Sequence, residues 1–227
     1  MKPTSILICG DSYCVTDKNF PGIHWSEQLA NYNSNIKIIN LAMGGCSNAL
    51  ILYQLYVGLK FNPDFIIFSF TDNSRYEVDN NVNAIPDFME EESIAHFLKS
   101  RYLTNMWREN VDSVKLNVID KWRTVVASNN FENIKNYFYI TQCLLMADRL
   151  NIPFCYSLGG FSNDVNYQEE IINGNFMINF LQEFTNKELS INLWSYPHGK
   201  PYFHVEDKKV HQLFASECMR LINCERI

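Results

Sequence analysis

Hydrophobic positions along the chain fall into short unbroken runs separated by longer stretches of spaced ones. Residues 5–9 (Ser-Ile-Leu-Ile-Cys), 36–41 (Ile-Lys-Ile-Ile-Asn-Leu) and 64–70 (Asp-Phe-Ile-Ile-Phe-Ser-Phe) are nearly continuous in apolar side chains. That is the pattern of strands covered on both faces of a parallel sheet. A fourth run, 152–158, contains Pro153 and ends at Gly159-Gly160. Helical spacing occupies the intervals. Residues 25–32 predict a short helix. In 49–59, Ala49, Leu52, Tyr53, Tyr56 and Leu59 share one stripe. In 134–149, Tyr137, Phe138, Thr141, Leu144 and Leu145 do the same. A last helix, about 206–221, is expected to bury Val210, Leu213, Phe214, Cys218 and Leu221.

Strands alternating with helices at this spacing imply βαβ crossovers and a three-layer α/β domain with a parallel sheet. The stretch from about 72 to 130 is too long for a plain loop. Its Phe97, Tyr102, Met106, Trp107, Val111, Val114, Val118 and Trp122 suggest an inserted helical subdomain. With no internal repeat and no Pro/Gly-rich linker, the expectation is one domain over 1–227 with a helical insertion.

Composition narrows the function classes. Hydrophobic residues at 47% and charged residues at 19% describe a globular chain. A net charge of −6 and the absence of any Lys/Arg run argue against a nucleic-acid partner and an anionic membrane surface. No apolar stretch approaches the roughly 18–20 residues that cross a bilayer. Ile6-Leu7-Ile8 is too short for a signal-peptide core, so synthesis in the cytoplasm without a signal peptide is expected. The seven cysteines are odd in number and form no Cys-x-x-Cys pair. They read as reduced, mostly buried thiols.

Four sheet-edge segments could carry chemistry. The first strand runs out into Gly10-Asp11-Ser12, where a parallel sheet presents its ligand-binding edge. Gly10 permits a tight exit, and Ser12 would expose its hydroxyl with its own backbone N–H aimed at the same spot. The same tripeptide also suits a plain strand-to-helix turn with Asp11 or Ser12 as N-cap. The second segment, Asn40-Leu41-Ala42-Met43-Gly44-Gly45-Cys46-Ser47-Asn48, brings two glycines that let backbone amides approach an oxyanion. An ordinary βα loop would use them for conformation alone. Third, Ser69-Phe70-Thr71-Asp72-Asn73 leaves another strand with a hydroxyl and an amide. Fourth, His204 precedes the last helix and His211 follows seven residues on; a histidine is the usual base for a serine hydroxyl.

In this order the chain resembles the SGNH (GDSL-like) hydrolases, a flavodoxin-like α/β family of esterases, lipases and carbohydrate deacetylases. Gly10-Asp11-Ser12 matches the first block, Asn40 to Ser47 the glycine block, Ser69-Phe70-Thr71-Asp72 the third, and His204 the histidine of the last. Gly-Gly-x-Ser-Asn followed by Thr-x-x-x-Arg-x-Glu is similar to a divergent branch often encoded by bacteriophages. The resemblance implies Ser12 as nucleophile, the N–H groups of Ser12 and Gly45 as oxyanion donors, and His204 as base, with His211 the alternative base. A small-molecule or glycan ester is the expected partner, with no cofactor and no metal, and the phage branch leaves a virion association open.

The chain departs from the family in two places. Thr71 stands where the third block carries asparagine, so the side-chain oxyanion donor passes to the Thr71 hydroxyl or to Asn73. Pro201 stands where the last block carries aspartate, leaving a dyad unless Glu206, Asp207 or a backbone carbonyl substitutes. Those two losses favour the competing reading, an inactive SGNH-like carbohydrate-binding or virion structural component. Ser12, Gly45 and His204 together favour the enzyme. His198, His204 and His211 match no compact metal-ligand spacing, no phosphate-binding glycine motif is present, and Cys14 and Cys46 fit buried structural thiols better than nucleophiles.

Overall fold

A computed structural model describes residues 4–16, 21–32, 35–44, 46–71, 78–79, 102–103, 129–159, 181, 183–196, 205 and 207–224. Strand β1 (Thr4–Gly10) is followed by a 3-10 turn at Ser12–Cys14, helix α1 (Trp25–Tyr32) and strand β2 (Ile36–Asn40). Helix α2 (Asn48–Gly58) leads to β3 (Phe65–Ser69). Within the predicted insertion, β4 (Val78–Asp79) and β5 (Tyr102–Leu103) form a two-residue antiparallel pair, a pairing that a wholly helical insertion lacks. The remaining predicted insertion residues, up to 128, lie outside the described ones. Helix α3 (Asn129–Arg149), β6 (Phe154–Ser157) and α4 (Lys208–Cys224) complete the elements that position the site.

The main sheet runs β2-β1-β3-β6 with every pairing parallel. An isolated parallel bridge from Tyr156 to Glu188 extends it beyond β6. Alternation along each strand sends side chains to two separate cores. Leu7, Cys9, Ile66, Phe68 and Tyr156 pack with Ile51 and Leu55 of α2 and Ile140 and Leu144 of α3. Ile6, Ile8, Phe65, Ile67 and Cys155 pack with Trp25 and Leu29 of α1 and Phe214, Cys218 and Ile222 of α4. Two helices on each face of a parallel sheet make the three-layer α/β arrangement expected from the alternation of runs.

Three helical faces differ from expectation. On α2 the buried positions are Asn48, Leu50, Ile51, Gln54, Leu55, Val57 and Gly58, while Tyr56 from the predicted stripe is 55% exposed. The sequence Asn-Ala-Leu-Ile-Leu-Tyr-Gln-Leu-Tyr-Val-Gly is apolar nearly all round, so periodicity carries no phase. On α3, Phe138 is exposed and Asn136 takes a buried place. On α4, Leu213 is exposed, whereas His211 is buried beside Val210, Phe214 and Ala215. Polar side chains displaced apolar ones in all three helices because they hold backbone or amide groups that would otherwise be orphaned inside. Six of the cysteines are buried and Cys224 is exposed. Among the described residues no helix is long and apolar enough to cross a membrane.

Candidate active site at the sheet edge

Gly10, Ser69 and Ser157 stand in register across β1, β3 and β6. Two residues beyond each lie Ser12, Thr71 and Gly159, which form a row just outside the C-terminal edge of the sheet. Open α/β sheets bind ligands along that edge.

Ser12 begins the 3-10 turn, and Asp11 caps it by accepting the Tyr13 N–H at 3.0 Å. Its Oγ is buried and makes no hydrogen bond among the described residues. Buried hydroxyls are nearly always paired, so one left over marks Ser12 as a candidate reacting group. Gly44 runs alongside: a Cβ placed on it would lie 3.8 Å from Ser12 Cβ.

The turn is held at every residue. Gln54 grips Gly10 twice, its Oε1 accepting the Gly10 N–H at 2.7 Å and its Nε2 donating to the Gly10 carbonyl at 3.1 Å. A side chain at Gly10 would bring its Cβ 2.6 Å from Cys14 Sγ, so the close passage of the chain requires glycine there. Asn40 donates its amide to the Cys14 carbonyl at 2.8 Å. The Tyr13 ring stacks on Trp194, centroids 4.9 Å apart. Gly159, at φ +60°, lies against the Phe70 carbonyl, where a Cβ would sit 1.9 Å from that oxygen.

Behind Asp11 a polar network crosses into the core. Thr71 Oγ1 donates to Asp11 Oδ2 at 3.1 Å. Asn48 holds the Thr71 backbone from both sides, its Oδ1 accepting the N–H at 2.9 Å and its Nδ2 donating to the carbonyl at 3.0 Å. The same Nδ2 donates to Asn136 Oδ1 at 2.8 Å. All four side chains are buried. The expectation of Thr71 as an oxyanion donor is therefore not met, since its single hydroxyl proton serves Asp11. Sequence reasoning missed Gln54 and Asn136 as supports of this site, because each is an amide on a helix with nothing local to mark its partner, and it named Asn48 only as the end of the glycine segment.

Several solved structures share the architecture. A lipolytic protein of the G-D-S-L family from Veillonella parvula DSM 2008 superposes with a TM-score of 0.50 at 10% identity, covering 97% of this chain and 98% of that one. The psychrotrophic esterase EstA from Pseudoalteromonas sp. gives 0.52 at 15% identity, covering 97% of each chain. TesA gives 0.50 at 8% identity, over 98% of this chain and 99% of that one. The chain has the SGNH hydrolase fold. No protein-family model matches the sequence, and no curated protein matches it.

His204, Gly45 and Asn73 lie outside the described residues. His211 is described, and it is not a free base. Its ring is 2% exposed, its Nε2 donates to the Val205 carbonyl at 2.7 Å, and its Nδ1 accepts the Trp25 N–H at 3.2 Å. Burial pushes its pKa down against the pull of that carbonyl and of Asp207 and Glu27. With both nitrogens spent on backbone groups it can neither take a proton from Ser12 nor ligate a metal. The two thiols near Ser12 are equally committed. Burial, with Asp11 nearby, raises the Cys14 pKa well above that of a free thiol, and Cys46 donates its S–H to the Gly10 carbonyl. Neither presents a thiolate.

Proposed function

We propose that this protein is a serine ester hydrolase of SGNH type that acts on a short acyl ester, with an O-acetyl group on a carbohydrate as the substrate class. The observation that carries the reading is the Ser12 hydroxyl: buried, unpartnered among the described residues, and placed where β1 leaves a parallel sheet. In the proposed reaction Ser12 Oγ attacks the acyl carbon and its proton passes to His204. The oxyanion is received by the N–H groups of Ser12 and Gly45, with Asn73 the remaining side-chain candidate now that Thr71 is committed to Asp11. Collapse expels the alcohol, which takes the proton from His204. Water then attacks the acyl-enzyme with His204 as base, releasing the acid and restoring Ser12. The roles of His204, Gly45 and Asn73 rest on their motif positions in the sequence.

The solved neighbour from Pseudoalteromonas sp. is described as an esterase inhibited by monoethylphosphonate, so a phosphonate of that type is a direct probe of Ser12. The test is hydrolysis of an aryl acetate by the purified chain, Ser12→Ala and His204→Ala. The expected loss is at least about 10³-fold in each variant, with a phosphonate adduct on Ser12 of the parent alone. Equal rates in all three proteins would sink the reading. One observation favours a non-catalytic binding role instead: the hydroxyl at the third block is turned to structural use in holding Asp11. An inactive parent that retains acetylated oligosaccharide, measured by calorimetry, would establish that alternative.

A further inference from the structure

Two histidines that this chemistry does not use stand together on the α1/α4 face of the sheet. His24 and His211 are each 2% exposed, and their ring centroids lie 5.2 Å apart. Their hydrogen bonds follow one scheme. His24 Nε2 is 3.0 Å from the Tyr13 carbonyl, and its Nδ1 accepts the Ser26 N–H at 3.2 Å and lies 2.8 Å from Ser26 Oγ. His211 Nε2 is 2.7 Å from the Val205 carbonyl, and its Nδ1 accepts the Trp25 N–H at 3.2 Å. A carbonyl can only accept and a backbone N–H can only donate, so both rings are neutral with the proton on Nε2. Burial, reinforced by the neighbouring His211, pushes the His24 pKa down to about 3, in keeping with that state.

The two carbonyls are not arbitrary. Tyr13 follows Ser12, and Val205 follows His204. Trp25 ties the pair again, its indole Nε1 donating to the Tyr13 carbonyl at 2.9 Å while its backbone N–H donates to His211. We propose that His24 and His211 are positioning residues, a clasp that fixes the Ser12 turn relative to the chain at Val205 and so holds Ser12 in place for its reaction with an ester. The catalytic half of this inference rests on the function proposed above; the clasp itself does not.

The test uses the full chain with His211→Leu, which keeps an apolar filler but loses both hydrogen bonds, and His211→Gln, whose carboxamide keeps one donor and one acceptor. Phe214→Leu, one turn along the same helix and also packed on Trp25, is the control for general loosening. Hydrogen–deuterium exchange is followed in the peptides covering 11–16 and 205–207, alongside kcat and KM on an aryl acetate. His211→Leu is expected to speed exchange in both peptides and to lower kcat on the order of 10–100-fold, with KM changed less than about twofold. His211→Gln is expected to recover most of both, and Phe214→Leu to leave the 11–16 peptide protected. Unaltered exchange at 11–16 in His211→Leu, or the same pattern in Phe214→Leu, overturns the clasp. If the parent turns over no ester, the function proposed above falls, and the exchange measurements still decide the clasp.

Discussion

The Ser12 turn is gripped from both faces of the sheet, and the two grips are made of different chemistry. On the α2/α3 face Asp11, Thr71, Asn48 and Asn136 form a chain of carboxylate, hydroxyl and amides. On the α1/α4 face His24, His211 and the Trp25 indole hold backbone carbonyls. The amides of the first grip have fixed donors and acceptors, so their bonds persist while the fold persists. The imidazoles of the second serve as acceptors only while unprotonated. One side is unconditional at its amides, the other conditional on proton activity.

The largest expected effect comes from cutting the first grip at its centre. Asn48→Leu, which keeps the branching of the side chain but loses its amide, strands the Thr71 N–H in the core and removes a donor from Asn136. It should cost about 2–4 kcal/mol in chemical denaturation at neutral pH. A loss below about 1 kcal/mol would mean that water enters and replaces the amide, and the two grips would not differ as described.

Acid should single out the second grip. An unfolded histidine takes up a proton near pH 6.5, which native His24 refuses down to about 3. The unfolded state therefore binds more protons in that window. The contribution of His24 to stability is whole above pH 6.5 and falls as pH drops, by about 1.4 kcal/mol per unit, or about 2 kcal/mol by pH 5. In His24→Gln the decline between pH 6.5 and 5 should become shallower; an unchanged slope would assign the acid sensitivity elsewhere.

Gln54→Leu removes the clamp on Gly10 and leaves its N–H unpaired, for which we expect about 1–2 kcal/mol in thermal unfolding. At the lower end, Tyr56→Ser and Leu213→Gln change exposed positions and should move stability by no more than about 0.5 kcal/mol. A larger cost at Tyr56 would restore the stripe that spacing predicted for α2.

Those substitutions also mark where the sequence could be read. The strands were legible because runs such as Ile6-Leu7-Ile8 and Phe65-Ile66-Ile67-Phe68 must be covered on both faces, and the sheet buries them fully. Ser12 was legible as a strand exit behind a glycine. The face of α2 was not, since its apolar residues surround the axis and the residue that decides its orientation, Gln54, is polar. The Asn48–Asn136 contact spans 88 positions, and nothing local in either helix announces it. His211 carries the same letter whether it is a base, a ligand or a carbonyl clamp. Only its partners, the Val205 carbonyl and the Trp25 N–H, distinguish those roles.

The cysteine distribution gives the molecule a convenient handle. Six thiols are enclosed, and Cys224, in the last turn of α4, is the one that reaches solvent. A maleimide reagent should therefore attach once per native chain, while the unfolded chain consumes seven equivalents. A fluorophore or surface tether placed there reports on the protein from the far end of α4, leaving the serine turn untouched.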